Sequence, residues 1–526
     1  MPTYSVRVKR DRQDNLQAAN RTYRDGTLVV ERGTDGYSRL KAADGILAYN
    51  SLPYIADPSS IGGISVKQFG AVGNDIANDG PAFQRAIDAA LPGQTIYVWP
   101  GTYRFTTGVT INKTVSIVGA SQMGPVIRCV GGITAFNFQP GGWGSHASGL
   151  HITGDRTPGQ KGMFFGACGE TVVSNCRLTM LDIGIHVTGG NHHRFQFLFA
   201  RNIRDTVFWF EDGVGPTLTH CFYDTDGSWY QGGTLPQPNY GIRINTEGVI
   251  INNCDMIHAG IGLMFECTNA RSIDWALLNN FYIDSCLGRN AITIRNSSTN
   301  GRYIRGLLFE HVWSATGDRG ITIDGVSNDI NGILFSDCRF HNNHHEGANI
   351  QRGTNIVFDG CLFAGNSIGG TANDMLLNTN GFVQVKNSNF GRFMRWSTFP
   401  PSAIFLGTTQ GDTTIENNFF DSLSYPSGVL VDNSAGLLEI RNNRNLVSEN
   451  QGTALIGAGS NTVTVAHGLY TTPQSHEVQV TPVGGWGNAS EFWADSFGPT
   501  TFRIATDVAP GFSGLTLAWK AEIRRR

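Results

Sequence analysis

The sequence has little charge and no long block of either sign. Charged residues make up 15% of its 526 positions, against about 25% in an average soluble protein. The formal net charge is −3, and the longest basic block is Arg524-Arg525-Arg526. Because binding to a phosphate backbone needs clustered lysines and arginines, we expect no nucleic-acid partner.

Long apolar runs are missing as well. No stretch approaches the roughly 20 apolar residues of a membrane-spanning helix. The first residues, MPTYSVRVKRDRQ, do not contain the apolar core of a secretory signal. We therefore expect no membrane insertion, and synthesis in the cytoplasm without a signal peptide.

Helical patterning is scarce. Its one clear instance is NDGPAFQRAIDAAL, which predicts a helix near 79–91 with Asp79 as its cap and Pro81 in its first turn. The apolar face of this helix consists of Ala82, Phe83, Ala86, Ile87 and Ala90. Elsewhere, 66 glycines and many short apolar runs indicate short strands and tight turns.

A short phrase, apolar–x–polar–Cys–x–apolar, recurs through the middle of the chain. It occurs as VSNCRL, LTHCFY, INNCDM, IDSCLG, FSDCRF and FDGCLF, and with another fourth residue as LFEHVW, VKNSNF, IENNFF and IRNNRN. The fourth positions, about 23 to 33 residues apart, are Cys221, Cys254, Cys286, His311, Cys338, Cys361, Ser388, Asn418 and Asn443. A repeat of this period predicts a solenoid, here a parallel β-helix of about ten or more coils.

The repeat gives the cysteines a structural interpretation. Side chains at one strand position stack about 4.8 Å apart from coil to coil, and an interior thiol behaves as a small apolar residue. No CxxC pair occurs, so we favour a core column over metal ligands or disulfides. Asparagines at the corners are expected to adopt left-handed backbone and to bond within their own column. The predicted helix near 79–91 would cover an open end of the solenoid.

The segment ISVKQFGAVGNDIANDGPAFQRAIDAALPGQTIYVWPGTYRF resembles the N-terminal signature of the pectate-lyase-like superfamily as found in phage tailspikes. The matching positions are Val66, Phe69, Gly70, Ala71, Gly73, Asp79, Ile87, Val98, Pro100, Gly101 and Tyr103. Gln68 and Asn78 stand where Asp is usual. The resemblance implies an all-β fold, a right-handed parallel β-helix over residues 61–450 with a capping helix.

Both ends of the chain are similar to modules of phage fibres. Residues 1–60 include LKAADGILAYNSLPYI, which is similar to a virion-attachment module with Tyr49 in place of Trp. Residues 451–526 include TVTVAHGL and PQSHEVQVTP and are similar to a C-terminal β-sandwich tip. The resemblance implies a homotrimeric spike on the virion surface, made in the bacterial cytoplasm and acting outside the host cell, with bacterial surface polysaccharide as its partner.

The segment from Cys221 to Ile244, CFYDTDGSWYQGGTLPQPNYGIRI, is the best candidate for chemistry. It carries a long loop in which carboxylates lie near aromatic rings, and sugar recognition needs both. Glycosidases need two carboxyls about 5–9.5 Å apart, so our catalytic candidates are Asp224, Asp226 and Asp255. Our substrate-binding candidates are Trp209, Trp229, Tyr230, Tyr240 and His258. We expect no metal and no cofactor.

Several alternatives stay open. Asp-Thr-Asp-Gly is also an ordinary turn, and the polygalacturonase-type signature and a clear pectate-lyase calcium triad are both missing. The favoured function is adsorption by polysaccharide binding. The alternatives are a depolymerase of the same receptor, hydrolase or lyase, and a structural shaft with a receptor-binding tip. A second cluster, His341, His344, His345 and Glu346, favours a solvated corner over a metal site or a carbohydrate contact.

Overall fold

The computed structural model describes residues 7–32, 38–52, 54–56, 63–225, 237–286, 288–368, 370–391, 400–421, 424–425, 428–511 and 513–523. The chain divides into two compact units, Met1–Arg204 and Asp205–Arg526. Together they contain a right-handed parallel β-solenoid of about 13 turns. In the described part of the chain, no helix has the length and hydropathy needed to cross a membrane.

The first unit opens with a small sheet. Its elements are β1 (Arg7–Arg12), α1 (Gln13–Ala19), β2 (Thr27–Arg32), β3 (Ser38–Ala42) and β4 (Tyr54–Ala56). Strand β1 runs parallel to β2, and the pairs β2–β3 and β3–β4 are antiparallel. Leu16, Val29 and Tyr49 form its core. This sheet lies within residues 1–60, for which attachment to a virion stays a prediction.

The solenoid of the first unit follows. Its elements are β5 (Gly63–Ser65), β6 (Asn74–Asn78), α2 (Gly80–Ala89), β7 (Thr95–Val98), β8 (Thr102–Phe105), β9 (Val109–Ile111), β10 (Ser116–Gly119), β11 (Val126–Cys129), β12 (Thr134–Phe138), β13 (His146–Ser148), β14 (His151–Thr153), β15 (Lys161–Phe165), β16 (Val172–Ser174), β17 (Arg177–Thr179), β18 (Ile183–Asn191), β19 (Arg194–Gln196) and β20 (Phe199–Arg201).

The predicted helix is present as α2, and its apolar face is buried. Phe83 meets the rings of Tyr103 and Phe105 edge-on, at centroid distances of 5.2 and 4.9 Å. The prediction for Asp79 was wrong in one respect. Asp79 precedes the helix, but its carboxylate accepts hydrogen bonds from the backbone N–H groups of Val72 and Gly73 and makes no cap bond. The carboxylate therefore secures the preceding turn.

The solenoid of the second unit continues with the same pattern. Its strands are β21 (Thr206–Val214), β22 (Thr217–Thr219), β23 (Phe222–Asp224), β24 (Tyr240–Ile244), β25 (Val249–Ile257), β26 (Ile261–Cys267), β27 (Ile273–Asp284), β28 (Ile292–Asn296), β29 (Ile304–Glu310), β30 (Trp313–Ala315), β31 (Ile321–Gly325), β32 (Ile330–Ser336), β33 (Arg339–His341), β34 (Ala348–Ile350), β35 (Thr354–Asp359), β36 (Leu362–Ala364), β37 (Met375–Leu377), β38 (Val383–Lys386), β39 (Asn389–Gly391), β40 (Ile404–Leu406), β41 (Thr413–Glu416), β42 (Phe419–Phe420), β43 (Leu430–Asp432) and β44 (Leu438–Arg441).

Among the residues with positive φ, one set occupies the same sharp corner on successive coils. In the second unit these residues are His220, Asn253, Asn280, His311, Asp337, Gly360, Asn387, Asn417 and Asn442, with φ between 49° and 67°. Asparagine, aspartate and glycine tolerate this left-handed conformation best. The prediction that asparagines occupy the corners is confirmed at five of these nine positions.

The predicted column of cysteine, serine and asparagine side chains lies next to this corner, and part of it is present as predicted. The Ser388 Oγ accepts a bond from the Cys361 N–H (3.0 Å), the Asn418 Oδ1 from the Ser388 N–H (2.8 Å), and the Asn443 Oδ1 from the Asn418 N–H (2.9 Å). All nine cysteines are buried, and none of them forms a disulfide. The Cys338 Sγ lies 3.4 Å from the Phe309 carbonyl oxygen.

Two predicted members of the column were wrong. Strand β25 sets Cys254 opposite Phe281, and β27 sets Tyr282 opposite Trp313, so the column continues through Phe281 and Val312. His311 instead lies at the left-handed corner. Cys286 comes after the end of β27. The phrase fits the sequence of this coil in two registers, LNNFYI and IDSCLG, and the cysteine favoured the wrong one.

The second unit ends in two antiparallel sheets. Its last strands are β45 (Glu449–Ile456), β46 (Thr462–Ala466), β47 (Val478–Pro482), β48 (Phe492–Asp495), β49 (Thr501–Thr506) and β50 (Leu515–Glu522). The sheets have strand orders β45-β50-β47 and β46-β49-β48. They share a core that includes Phe502, Leu517 and Trp519. These are the extra C-terminal sheets of the fold, in the region where a β-sandwich was predicted.

Candidate functional site

A groove of about 540 Å³ lies on the outer surface of the second unit. It is lined by Asn253, Asp255, Asn280, Phe281, Tyr282, His311, Val312, Trp313, Asp337 and Arg339. These residues come from the corners and from the strands that follow them, on four successive coils. We call this feature the acidic–aromatic groove.

The parallel register explains why these side chains meet. Strand pairing aligns Phe222, Asp255, Tyr282, Trp313 and Arg339 in one outward column. Each is at least partly exposed, whereas the residue after it in the chain points inward and is buried. A strand alternates between its two faces, so every second residue of these particular strands faces outward.

A second outward column lies two residues further along each strand. It aligns Asp224, Ile257, Asp284, Ala315 and His341. Asp224 therefore lies one coil before Asp255 and two residues further along its strand. Asp284 lies one coil after Asp255 and is also two residues further along its strand. With about 4.8 Å between strands and about 3.3 Å per residue, each pair of Cα atoms is about 8 Å apart.

The surroundings of Asp224 and Asp255 differ. Burial raises the pKa of Asp255 above its ordinary value, which favours the protonated acid. The Asp224 Oδ1 lies 2.7 Å from the Nδ1 of His258, and the side chains of both are mostly buried. A carboxyl with a raised pKa beside a second carboxyl in contact with an imidazole can separate acid and base roles.

Aromatic rings form the middle of the groove. The rings of Tyr282 and Trp313 meet edge-on with centroids 4.8 Å apart, and the Arg339 guanidinium lies 5.8 Å from the Trp313 ring centroid. The Tyr282 hydroxyl donates to Asp284 Oδ2 at 2.8 Å. Burial, and then this bond to Asp284, raise the pKa of Tyr282, so the hydroxyl stays protonated.

His341 closes the back of this cluster. Its ring centroid is 4.9 Å from that of Trp313, and both of its ring nitrogens are buried without a hydrogen-bond partner. Burial lowers the pKa of His341, while the nearby Asp284 acts in the opposite direction. The neutral imidazole therefore supports the indole from behind.

The structure brings together some of the predicted site residues and separates others. Asp224, Asp255 and His258 lie on the same outward face. Trp209 and Tyr240 lie on the other sheet of the coil, where the Arg243 guanidinium is 4.9 and 5.1 Å from their ring centroids. Asp226, Trp229 and Tyr230 lie outside the described residues.

The second histidine cluster is divided among separate contacts. His345 Nδ1 lies 2.7 Å from Asp318 Oδ1, and Glu346 accepts a bond from Arg319 at 2.7 Å. His341 belongs to the acidic–aromatic groove instead. Among the residues that the structure describes, no three His, Cys, Asp or Glu side chains are grouped so that they could hold a metal ion.

Comparison with known proteins agrees with this architecture. Residues 63–286 match the family model described as rhamnogalacturonase A/epimerase, pectate lyase-like. That region is therefore a pectate-lyase-like domain, and it contains Asp224, Asp255 and Asp284. A curated relative, mannuronan C5-epimerase AlgE1 of Azotobacter vinelandii, is 42% identical over 79 residues, which are 13% of this chain and 6% of the relative. The chain thus matches only a small part of that relative's length.

Two solved structures show the same fold at low identity. The tailspike protein of E. coli bacteriophage HK620, solved as a double mutant in complex with a pentasaccharide, has a TM-score of 0.54 and 10% identity, and the match covers 97% of this chain and 100% of that one. The A-module of mannuronan C-5 epimerase AlgE6 from Azotobacter vinelandii has a TM-score of 0.51 and 15% identity, with 72% and 98% covered.

Proposed function

We propose that this pectate-lyase-like β-solenoid is a virion spike protein that binds a bacterial surface polysaccharide in the acidic–aromatic groove. The observation that carries the proposal is the juxtaposition of the Tyr282 and Trp313 rings with Asp255 and Arg339 in one groove. Aromatic faces cover the C–H side of a sugar ring, and a few convergent polar groups fix its hydroxyls. The tailspike with a bound pentasaccharide has a similar fold.

The charges of the groove favour an uncharged polysaccharide. Asp255 and Asp337 line the groove, and Asp224 and Asp284 lie in the neighbouring column, whereas Arg339 carries the one positive charge among the lining residues. A polyuronate chain would bring further negative charge close to these carboxylates and would be repelled. The hydroxyls of neutral sugars instead donate hydrogen bonds to carboxylates.

Hydrolysis of the bound polysaccharide is the second candidate function. It is favoured by the raised pKa of Asp255 beside the His258-paired Asp224, with Cα atoms about 8 Å apart. Side chains on Cα atoms at this spacing can hold their carboxyls about 6.5–9.5 Å apart, the separation at which an inverting glycosidase keeps a water between its acid and its base. Asp255 would protonate the leaving oxygen, and Asp224 would activate the water.

Binding is tested on a panel of purified bacterial O-antigen and capsular polysaccharides, with the full chain and biolayer interferometry. We call the member of the panel that the wild-type protein binds the retained polysaccharide. We expect Trp313→Ala to abolish binding to it. Trp209→Ala serves as the matched control, because Trp209 lies on the other sheet, and should leave binding unchanged. Loss of binding in the control alone would contradict the proposed site.

Cleavage is tested on the same polysaccharide by size-exclusion chromatography and a reducing-end assay. Shorter chains with new reducing ends support a hydrolase, and ultraviolet-absorbing unsaturated ends would indicate a lyase. An intact polysaccharide that co-elutes with the protein supports an adhesin. If the wild-type protein neither binds nor cleaves any member of the panel, the proposed function fails, and the search for a receptor contact moves to the tip, residues 451–526.

The assembly around this site is also part of the proposal. We expect a homotrimer, attached to the virion through residues 1–60 and displayed on its surface after synthesis in the bacterial cytoplasm. Sedimentation of the full chain measures the number of chains, and a monomer would contradict the spike assembly.

A further inference from the structure

Trp275 is exposed outside the acidic–aromatic groove and has an unusual backbone conformation. The side chain is 54% exposed, and its φ is +29°. A positive φ is rare for residues other than glycine and is an outlier for a bulky one. Conformations of this kind are energetically unfavourable and cluster where function requires them.

The neighbouring coils carry glycine at the same position. The pairing of β25, β27, β29 and β32 places Gly248, Trp275, Gly306 and Gly332 in one column. The three glycines have φ of 71°, 64° and 69°. Glycine adopts this conformation without a steric penalty, so the column suits glycine, and the indole stands there at a conformational cost.

The glycine beneath Trp275 makes room for its ring. A Cβ atom placed on Gly248 would be 3.3 Å from Cζ2 of Trp275, so the indole lies close against that backbone. On the other side, a Cβ on Gly306 would lie 3.5 Å from the Trp275 Cβ. The ring therefore rests on main chain and turns a broad surface toward solvent.

Polar groups flank this ring on the same strands. Asp274, next to Trp275, pairs in register with Arg305 on the adjacent coil. The Arg305 guanidinium lies 3.7 Å from the centroid of the Tyr303 ring, and the Tyr303 hydroxyl is 3.5 Å from Asp274 Oδ2. A carboxylate thus lies next to Trp275 along the strand, and a guanidinium lies on the adjacent coil.

We infer that Trp275 is the platform of a second saccharide subsite, which takes one pyranose ring of the same polysaccharide that occupies the groove. The indole would cover the C–H face of the ring, and Asp274 and Arg305 would bind its hydroxyls. Trp275 and Tyr282 lie on one strand, seven residues apart, which is at most about 23 Å. A chain of several sugars reaches both sites. The inference rests on the proposed function of the groove.

Trp275→Gly is the decisive variant, because it installs the residue of the neighbouring coils. We expect a melting temperature equal to or above that of the wild-type protein, and about tenfold weaker binding to the polysaccharide retained from the panel of O-antigens and capsules. Short oligosaccharides prepared from that polysaccharide should bind the groove with unchanged affinity. Trp99→Ala is the matched control, because Trp99 is 55% exposed in the first unit.

Each other outcome overturns the inference. Unchanged polysaccharide affinity removes the subsite, and a lowered melting temperature assigns Trp275 a structural role. A change in sedimentation of the Trp275→Gly protein would assign the indole to contact with a second copy of the chain. If Trp313→Ala abolishes binding while Trp275→Gly does not alter it, the groove is supported as the binding site and the Trp275 subsite is contradicted. If the wild-type protein binds no polysaccharide, the proposed function itself fails.

Discussion

Asp255 and Asp224 have the same side chain on adjacent coils, and their surroundings separate them. Burial raises the pKa of Asp255, whereas Asp224 is in contact with the His258 imidazole at 2.7 Å. The difference arises because the two residues occupy different outward columns. Residue identity alone therefore does not assign the acid and the base, and the register of the coils does.

Asp255→Asn tests the acid role. If the protein cleaves its polysaccharide, we expect the variant to lose activity by about 10²-fold or more, because an amide cannot donate the proton. Polysaccharide affinity should change little, since the amide keeps the shape and hydrogen-bonding capacity of the acid. Wild-type activity should fall as pH rises through the raised pKa of Asp255, because the required proton is then lost. Full activity of Asp255→Asn in the reducing-end assay would contradict this role.

Asp374 is a second buried carboxyl, remote from the groove along the chain. It is 1% exposed and accepts hydrogen bonds from the Tyr425 hydroxyl at 2.6 Å and Asn366 Nδ2 at 2.9 Å. Burial raises the pKa of Asp374 from 3.8 to about 6, although both bonds oppose the rise. The folded state therefore holds this proton more tightly than the unfolded state does.

This shift predicts a pH-dependent stability. The contribution of Asp374 is full below about pH 4 and is lost as the pH rises through about 6, a difference of about 3 kcal/mol. Asp374→Asn should remove this dependence, so the wild-type protein should lose stability relative to the variant between about pH 4 and pH 7. Thermal unfolding of both proteins across that range measures the effect. A wild-type advantage that grows with pH would show the opposite sign.

At the scale of the element, the column that contains Cys338 and Cys361 continues toward the end of the solenoid as the polar residues Ser388, Asn418 and Asn443. Asn418 is 2% exposed, and its amide donates to the Val385 carbonyl oxygen at 3.0 Å and accepts from the Ser388 N–H at 2.8 Å. A buried polar group that loses its partner costs about 1–3 kcal/mol. The column thus stabilises the coils through satisfied hydrogen bonds as well as through packing.

Asn418→Ala should therefore destabilise the protein by about 2–4 kcal/mol, since two buried backbone groups lose their partners. Asn417→Gly is the matched control, because Asn417 is exposed at a φ of 56° that glycine adopts freely. Urea unfolding of both variants compares them. Equal urea midpoints for Asn418→Ala and the wild-type protein would show that the polar column does not contribute to the free energy of unfolding.

The same elements show what the sequence could and could not predict. Asp224 or Asp226 was predicted to pair with Asp255 because Cys221 and Cys254 mark equivalent positions on adjacent coils. Arg339 was missed, although it follows Cys338 as Asp255 follows Cys254. Trp313 was missed because Val312 replaces the cysteine in its coil, and the register could not be counted there.

Aromatic residues were the weaker guide. Trp209 and Tyr240 are near Asp224 in the sequence, but a coil turns its successive strands onto different sheets, so neighbours in sequence face different directions. Only the strand pairing decides which side chains share a face. The fold was predictable because the same sequence phrase recurs on many coils. The site was not, because it depends on individual residues that each occur on one coil.

At the scale of the whole molecule, weak overall charge and an acidic groove predict binding that depends little on salt. The net charge is −3, and Asp255 and Asp337 line the groove, with Asp224 and Asp284 in the neighbouring column. Uncharged sugars give up no counterions on binding, unlike a polyanion held by clustered cations. Affinity for the retained polysaccharide should change less than about threefold between low and high sodium chloride. A steep loss with salt in interferometry would instead indicate an anionic receptor.

The column of left-handed corners has a consequence for how such a protein changes over generations. Each coil presents the same edge to the next, so recombination can add, remove or exchange a whole coil without redesigning the interior. Such an exchange would carry one step of the groove with it, as the coil of Asp255 or that of Trp313 does here. If the groove binds a polysaccharide as proposed, a lineage can thus change the sugars that it recognises one coil at a time.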